Sequence, residues 1–359
     1  MRNGFIGFLG LLLTALAAHP AAAQDPRDAA IAALAREHPR TGIGAALIRG
    51  GKVVWTGAAG VQAGKQPATR DTLFNVASLT KPVSAEVVMR LVQAGQVGLD
   101  EPIANVWMDP DVAGDPRAKR LTPRLALSHQ TGFPNWRPQN QRLAFVRDPG
   151  TAFGYSGEGY ELVARFVQRK LRTDFEDLAE AQVFRPMGLA NIGYTWRPWM
   201  VGRVAVPANG NGFPGTTGPR AIGHWVAADD IYVTVGDYAA FVAAVARGDG
   251  LSPELAAERL RSQVTAPGCA KQVAGCPDSV GMALGWQVMT FGKRRLAVHE
   301  GGDPGVTALA YFDPDSRDGA LVFLSGEGDA PLAMRVIDAV DPQSLVLAGY
   351  RAMLRSREK

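Results

Sequence analysis

The chain holds only two cysteines and five histidines among its 359 residues, and it has no run of like charge. A metal centre is not expected from two cysteines with no histidine beside them. The formal charge of +4 comes from 38 basic and 34 acidic residues. Charges this evenly mixed give no basic stripe for nucleic acid. No glycine-rich phosphate or dinucleotide loop follows a strand, so no organic cofactor is expected. The apolar content, 47%, is that of a folded globular chain.

Long apolar runs are also scarce. The one that stands out, GFIGFLGLLLTALAA (4–18), is short and broken by glycine. Arg2 precedes it, and Ala21-Ala22-Ala23 follows as a small-residue cleavage site. Residues 1–23 therefore read as a signal peptide, which implies a periplasmic or secreted protein with no membrane span after cleavage. No cysteine follows the apolar run to take a lipid. In an exported chain the pair in PGCAKQVAGCPD, Cys269 and Cys276, reads as a local disulfide. Closing so short a loop is worth roughly 2–3 kcal/mol in the chain-entropy account.

Elements group by period. TGIGAALIRGGKVVWTGAAG (41–60) is two strand-like runs around Gly50-Gly51, a hairpin. From Ala77 the pattern turns helical, with Val83, Val87, Val88 and Leu91 on one face and Gly95 and Gly98 at its end. GYELVARFVQRKL (159–171) and GDYAAFVAAVARG (236–248) continue the helical middle. Strands return from residue 282, and PLAMRVIDAV (331–340) opens a closing helical run. The expected fold is α/β in the α+β sense: an antiparallel sheet flanked by helices, with an inserted, mostly helical domain. The sheet part takes 24–75 and 280–359, the helical part 76–279. A cleft between them is the expected site.

Within VASLTKPVS (76–84), Ser78 and Lys81 are one helical turn apart and share a face. A hydroxyl needs a base to become a nucleophile, and a desolvated lysine can serve. The open first-turn N–H groups suit an oxyanion, and Pro82 is tolerated there because its missing donor costs little. Tyr155, in FGYSGEGY (153–160), is a second acid/base candidate if cationic neighbours lower its pKa. Ser156 is rejected as a G-x-S-x-G nucleophile, since Glu158 stands where glycine is needed. In AVHEGGDPGV (297–306), His299 ends a strand, and Gly301 and Gly302 let a substrate lie along the edge. There a backbone N–H supplies an oxyanion donor and His299 a hydrogen bond or positive charge. His38, His129 and His224 lack metal-ligand spacing. Asp229-Asp230 reads as a cap or salt-bridge pair.

In this order SLTK, YSG and HEG resemble the S-x-x-K, Y-x-N and K-T-G motifs of the serine β-lactamase and penicillin-binding-protein superfamily. The likeness is to its class C-like branch, which also holds DD-peptidases, D-aminopeptidases and family VIII esterases. GLDEPI (98–103), LALSHQTGFP (125–134), FRPMGL (184–189) and ALGW (283–286) add to it. The resemblance implies that Ser78 forms an acyl-enzyme and that Lys81 with Tyr155 moves the proton. It implies an oxyanion hole from the N–H groups of Ser78 and Gly302. The partner is then a small-molecule or peptide substrate; oligomeric state is left open. Two positions depart from the pattern. Gly157 replaces the asparagine of Y-x-N, and His299 replaces the lysine of K-T-G. Both shift expectation from β-lactams toward small esters, amides or D-amino-acid peptides. A β-lactamase, or a penicillin-recognising sensor that acylates without turnover, are the alternatives.

Overall fold

The computed structural model describes residues 25–206, 218–270 and 272–357. The signal-peptide reading of 1–23 lies outside them. Helix α1 (Pro26–Glu37) leads into the hairpin β1 (Gly42–Arg49) and β2 (Lys52–Ala63), followed by β3 (Gln66–Pro67). Gly50 and Gly51 take φ of 55° and 73° at the hairpin tip, which a two-residue turn of matching twist requires. The chain then forms β4 (Phe74–Asn75), a 3₁₀ turn at Ala77–Leu79, and α2 (Thr80–Gln93). Next come α3 (Pro123–Leu127), α4 (Gly157–Leu171), α5 (Phe175–Ala179), α6 (Arg185–Met187), β5 (Ile192–Gly193) and β6 (Tyr232–Val233). Helices α7 (Val235–Arg247) and α8 (Pro253–Arg259) complete this part. The strands β7 (Val264–Thr265), β8 (Ser279–Met282), β9 (Gln287–Phe291), β10 (Arg294–Asp303), β11 (Val306–Phe312) and β12 (Gly319–Ser325) follow, then α9 (Ala330–Val340) and α10 (Leu345–Arg357).

One antiparallel sheet of nine strands has the order β3-β2-β1-β12-β11-β10-β9-β8-β7. Both ends of the chain thus build one sheet, with Gly42 opposite Ser325 where they meet. The sheet resumes at Val264, earlier than residue 280, and β4, β6 and β5 form a separate small sheet. Strand β12 is buried along its length. Its Val322 and Leu324 pack with Ile31, Leu332 and Val336 of the outer helices, while Leu321 and Phe323 join the core of the helical part. A strand covered on both faces is apolar throughout.

The face of Val83, Val87, Val88 and Leu91 is buried, and the burial of this helix goes further. Every residue of α2 from Thr80 to Leu91 is buried. Its polar side chains are accommodated by partners: Glu86 holds Arg90 at 3.0 Å and Arg259 at 2.7 Å. Buried charges survive only when paired in this way. The helix is the central strut of its domain, and its first turn carries the site.

Candidate active site

Ser78 sits in the 3₁₀ turn just ahead of α2. Ala77 before it has φ of 44°, a conformation that costs an ordinary residue about 1–2 kcal/mol. The strained turn is held by Asn75, whose Oδ1 accepts from the Ala77 N–H at 2.7 Å. The Asn75 amide in turn donates to Asp230 at 3.2 Å, and Asp230 pairs with Arg220 at 2.5 Å. The salt-bridge reading of Asp230 therefore holds.

Lys81 donates to Ser78 Oγ at 2.9 Å and to the Ala228 carbonyl at 2.8 Å. Burial pushes the ammonium down to about 8, against the opposing pull of Asp229, Glu161 and Asp303. The Ala228 carbonyl gives Lys81 the fixed acceptor that an asparagine in Y-x-N would offer. Glu161 steadies that segment by accepting from the N–H groups of Ala227 and Ala228 at 2.6 and 3.3 Å.

Tyr155 stands beside Ser78, and the Lys81 ammonium lies 4.8 Å from its ring centroid. The expected lowering of its pKa does not occur. Burial raises it well above the ordinary phenol range, and the Ser78 side chain opposes the rise. The group is a neutral phenol. His129 stacks beneath it, with centroids 4.3 Å apart. The ring is fully buried and accepts from the Ser156 N–H at 3.0 Å. Burial, then the charge of Lys81, keeps it neutral. His129 is thus a platform for Tyr155. Ser156 caps α4, accepting from Gly159 N–H at 3.0 Å and donating to the Pro134 carbonyl at 2.8 Å.

Strand β10 closes against the nucleophile's turn. A Cβ on Gly301 would lie 2.2 Å from the Val76 carbonyl and 3.2 Å from Ser78 N, so only glycine allows this approach. A Cβ on Gly302 would meet nothing within 4 Å, and the space above it stays open. His299 is buried beside Tyr155, its ring centroid 6.4 Å away. Burial, then Lys81, drives it down to about 3. Its Nδ1 lies 2.8 Å from the Glu300 carbonyl. A carbonyl only accepts, so Nδ1 carries the proton and Nε2 of the neutral ring is left as an acceptor. The positive charge expected of His299 is absent.

Two neighbours escaped the sequence. At Gly157 the backbone is ordinary, yet a Cβ would lie 2.7 Å from the Trp136 ring. The indole fills the place where an asparagine side chain would stand. Arg137 anchors its loop, bonding Glu158 and Asp109 at 2.7 Å each. The second is Asp303, at the end of β10. It comes to Asp229 and Asp230 so that carboxylate oxygens of all three lie within 4.8 Å. Burial and its acidic neighbours raise Asp229, and burial then Asp230 raise Asp303 to about 6. Arg220 and Lys81 stand beside these carboxylates, so the chain's own cations compensate the cluster. The structure also joins Cys269 to Cys276, with an S–S distance of 2.05 Å.

A family model described as Beta-lactamase matches residues 27–341. Penicillin-binding protein 4 of Amycolatopsis lactamdurans is 28% identical over 243 residues, 61% of this chain and 62% of that protein. Esterase EstB of Burkholderia gladioli is 33% identical over 201 residues, 46% of this chain and 50% of that one. The chain thus spans only half to about three fifths of these relatives' lengths. The octameric penicillin-binding protein homologue of Pyrococcus abyssi shares the fold, with a TM-score of 0.72 at 19% identity, covering 92% of this chain and 80% of its own.

Proposed function

The chain belongs to the Beta-lactamase family, and from that premise we propose that it is a serine hydrolase of uncharged esters. The contact of Lys81 Nζ with Ser78 Oγ at 2.9 Å carries the reading. With Lys81 neutral, Ser78 attacks the ester carbonyl and its proton passes to the amine. The N–H groups of Ser78 and Gly302 receive the oxyanion. As the C–O bond breaks, the proton returns to the leaving alkoxide through Tyr155, whose neutral phenol can give one proton while taking another. Water then cleaves the acyl-enzyme by the reverse relay and restores Ser78.

Charge favours an ester over a β-lactam. A β-lactam brings a carboxylate, and the strand that would meet it carries a neutral His299. Asp303 and Asp230 bring carboxylates nearby, and Arg220 is engaged by Asp230. The same carboxylates favour a second reading, an amide or D-amino-acid substrate with a free ammonium group. The disulfide supports export to the periplasm or beyond. Among the described residues no helix is long and apolar enough to cross a membrane.

Acid-quenched protein from a p-nitrophenyl butyrate reaction tests the proposal by intact and peptide mass. A butyryl adduct on Ser78 supports it; an adduct elsewhere, or turnover retained by Ser78→Ala, overturns it.

A further inference from the structure

A cavity of about 630 Å³ is lined by Ser78 and Tyr155 and extends far beyond what acyl transfer needs. The run Val298 to Gly302 of β10 lines it. Val298, which lines it, belongs to the outer core under α9, whereas Val76 and Leu79 on either side of Ser78 belong to the inner core. Most of the wall is apolar. Four of the nine methionines in the chain, Met282, Met289, Met334 and Met353, line it, and the half-exposed Leu354 stands on its rim. Thioether side chains are flexible and polarisable, and they adapt to apolar guests of several lengths. A volume of this size lies in the range of small-ligand sites.

We propose that this cavity holds an unbranched aliphatic chain of the substrate, so that the enzyme favours medium- and long-chain esters over acetate or butyrate. The inference rests on the ester-hydrolase reading of Ser78. Phe153, Tyr155 and Tyr350 also line the space, and the four methionines between them can shift to follow a flexible chain. Each methylene that leaves water for the cavity raises kcat/KM by about fourfold, the equivalent of its transfer free energy.

The test is two substrate series below their micelle concentrations: p-nitrophenyl esters from acetate to decanoate, and alkyl butyrates from ethyl to octyl. A rise of about fourfold per methylene over several steps in the first series puts the chain on the acyl side; in the second, on the alcohol side. Either result supports the proposal. Two variants far from the chemistry probe the cavity itself, Met334→Trp to fill it and Leu354→Glu to charge its rim; the second lies half-exposed and does not endanger folding. In whichever series rises, each should cut the ratio of the eight-carbon to the shortest substrate at least tenfold. Flat profiles in both series, or a ratio that neither variant alters, overturn the chain pocket while leaving the hydrolase intact. Failure of the underlying reading looks different: no ester of any length is then cleaved in a Ser78-dependent way.

Discussion

The two walls of the cleft are held by different means. On the wall of α2, every reacting group has a fixed partner: Ser78 has Lys81, Lys81 has the Ala228 carbonyl, and Tyr155 has the His129 face. On the wall of β10 the groups are a neutral imidazole, two glycines and carboxylates, with open space above Gly302. One wall is built to move a proton and tolerates no change. The other decides what enters, and it has exchanged a cation for negative charge. Catalysis and selection can therefore be broken separately.

Removing the nucleophile should have the largest effect. Ser78→Ala is expected to lower kcat for every substrate by on the order of 10⁶-fold, as for a group that acts as one unit with its base. Steady-state assays on an ester and on nitrocefin should fall together; loss on one alone would mean that the walls do not share a nucleophile. Lys81→Ala and Tyr155→Phe come next, with losses of about 10²–10⁴-fold and an unchanged melting curve for Tyr155→Phe.

The Gly157 position sharpens the contrast. Restoring asparagine there should not create a β-lactamase, because Trp136 occupies the space. Gly157→Asn is expected to lose about 1–3 kcal/mol of stability through overpacking, read by denaturant titration. With Trp136→Ala added, nitrocefin turnover should rise by about 10–100-fold relative to the single variant, the worth of a hydrogen bond to a charged group.

The smallest effect is a shift of the pH profile. Lys81 must be neutral to act as a base, so kcat/KM should rise with pH through about 8. Asp229 favours the ammonium form. Asp229→Asn removes that pull, lowers the lysine pKa and should move the acidic limb down by about one unit. A limb that moves up, or stays, would place another group in control.

What the sequence disclosed follows the same division. Ser78 and Lys81 are one turn apart, and helical spacing alone puts them on one face. The antiparallel sheet was legible from the period of its strands, and Cys269 with Cys276 from their loop. The rest depends on distant convergence. Asp303 and Asp229 lie on different elements far apart in the chain, and nothing local signals their meeting. The acceptor for Lys81 is a backbone carbonyl, which every residue possesses. Trp136 over Gly157 is a matter of packing, and no motif spacing encodes it. A lowered Tyr155 and a charged His299 do not arise because burial, invisible in sequence, is the largest influence on both.

The central claim is that the β10 wall selects against a carboxylate while the α2 wall does the chemistry. The most direct test compares p-nitrophenyl butyrate with p-nitrophenyl hemisuccinate, which carries a carboxylate on an acyl group of the same carbon count. Both have one leaving group and need one nucleophile, so their kcat/KM ratio isolates the charge. The expected result is a preference for the neutral ester of about tenfold or more, as one repulsive interaction of about 1.4 kcal/mol would give. Equal rates, or faster cleavage of the hemisuccinate, would contradict the account.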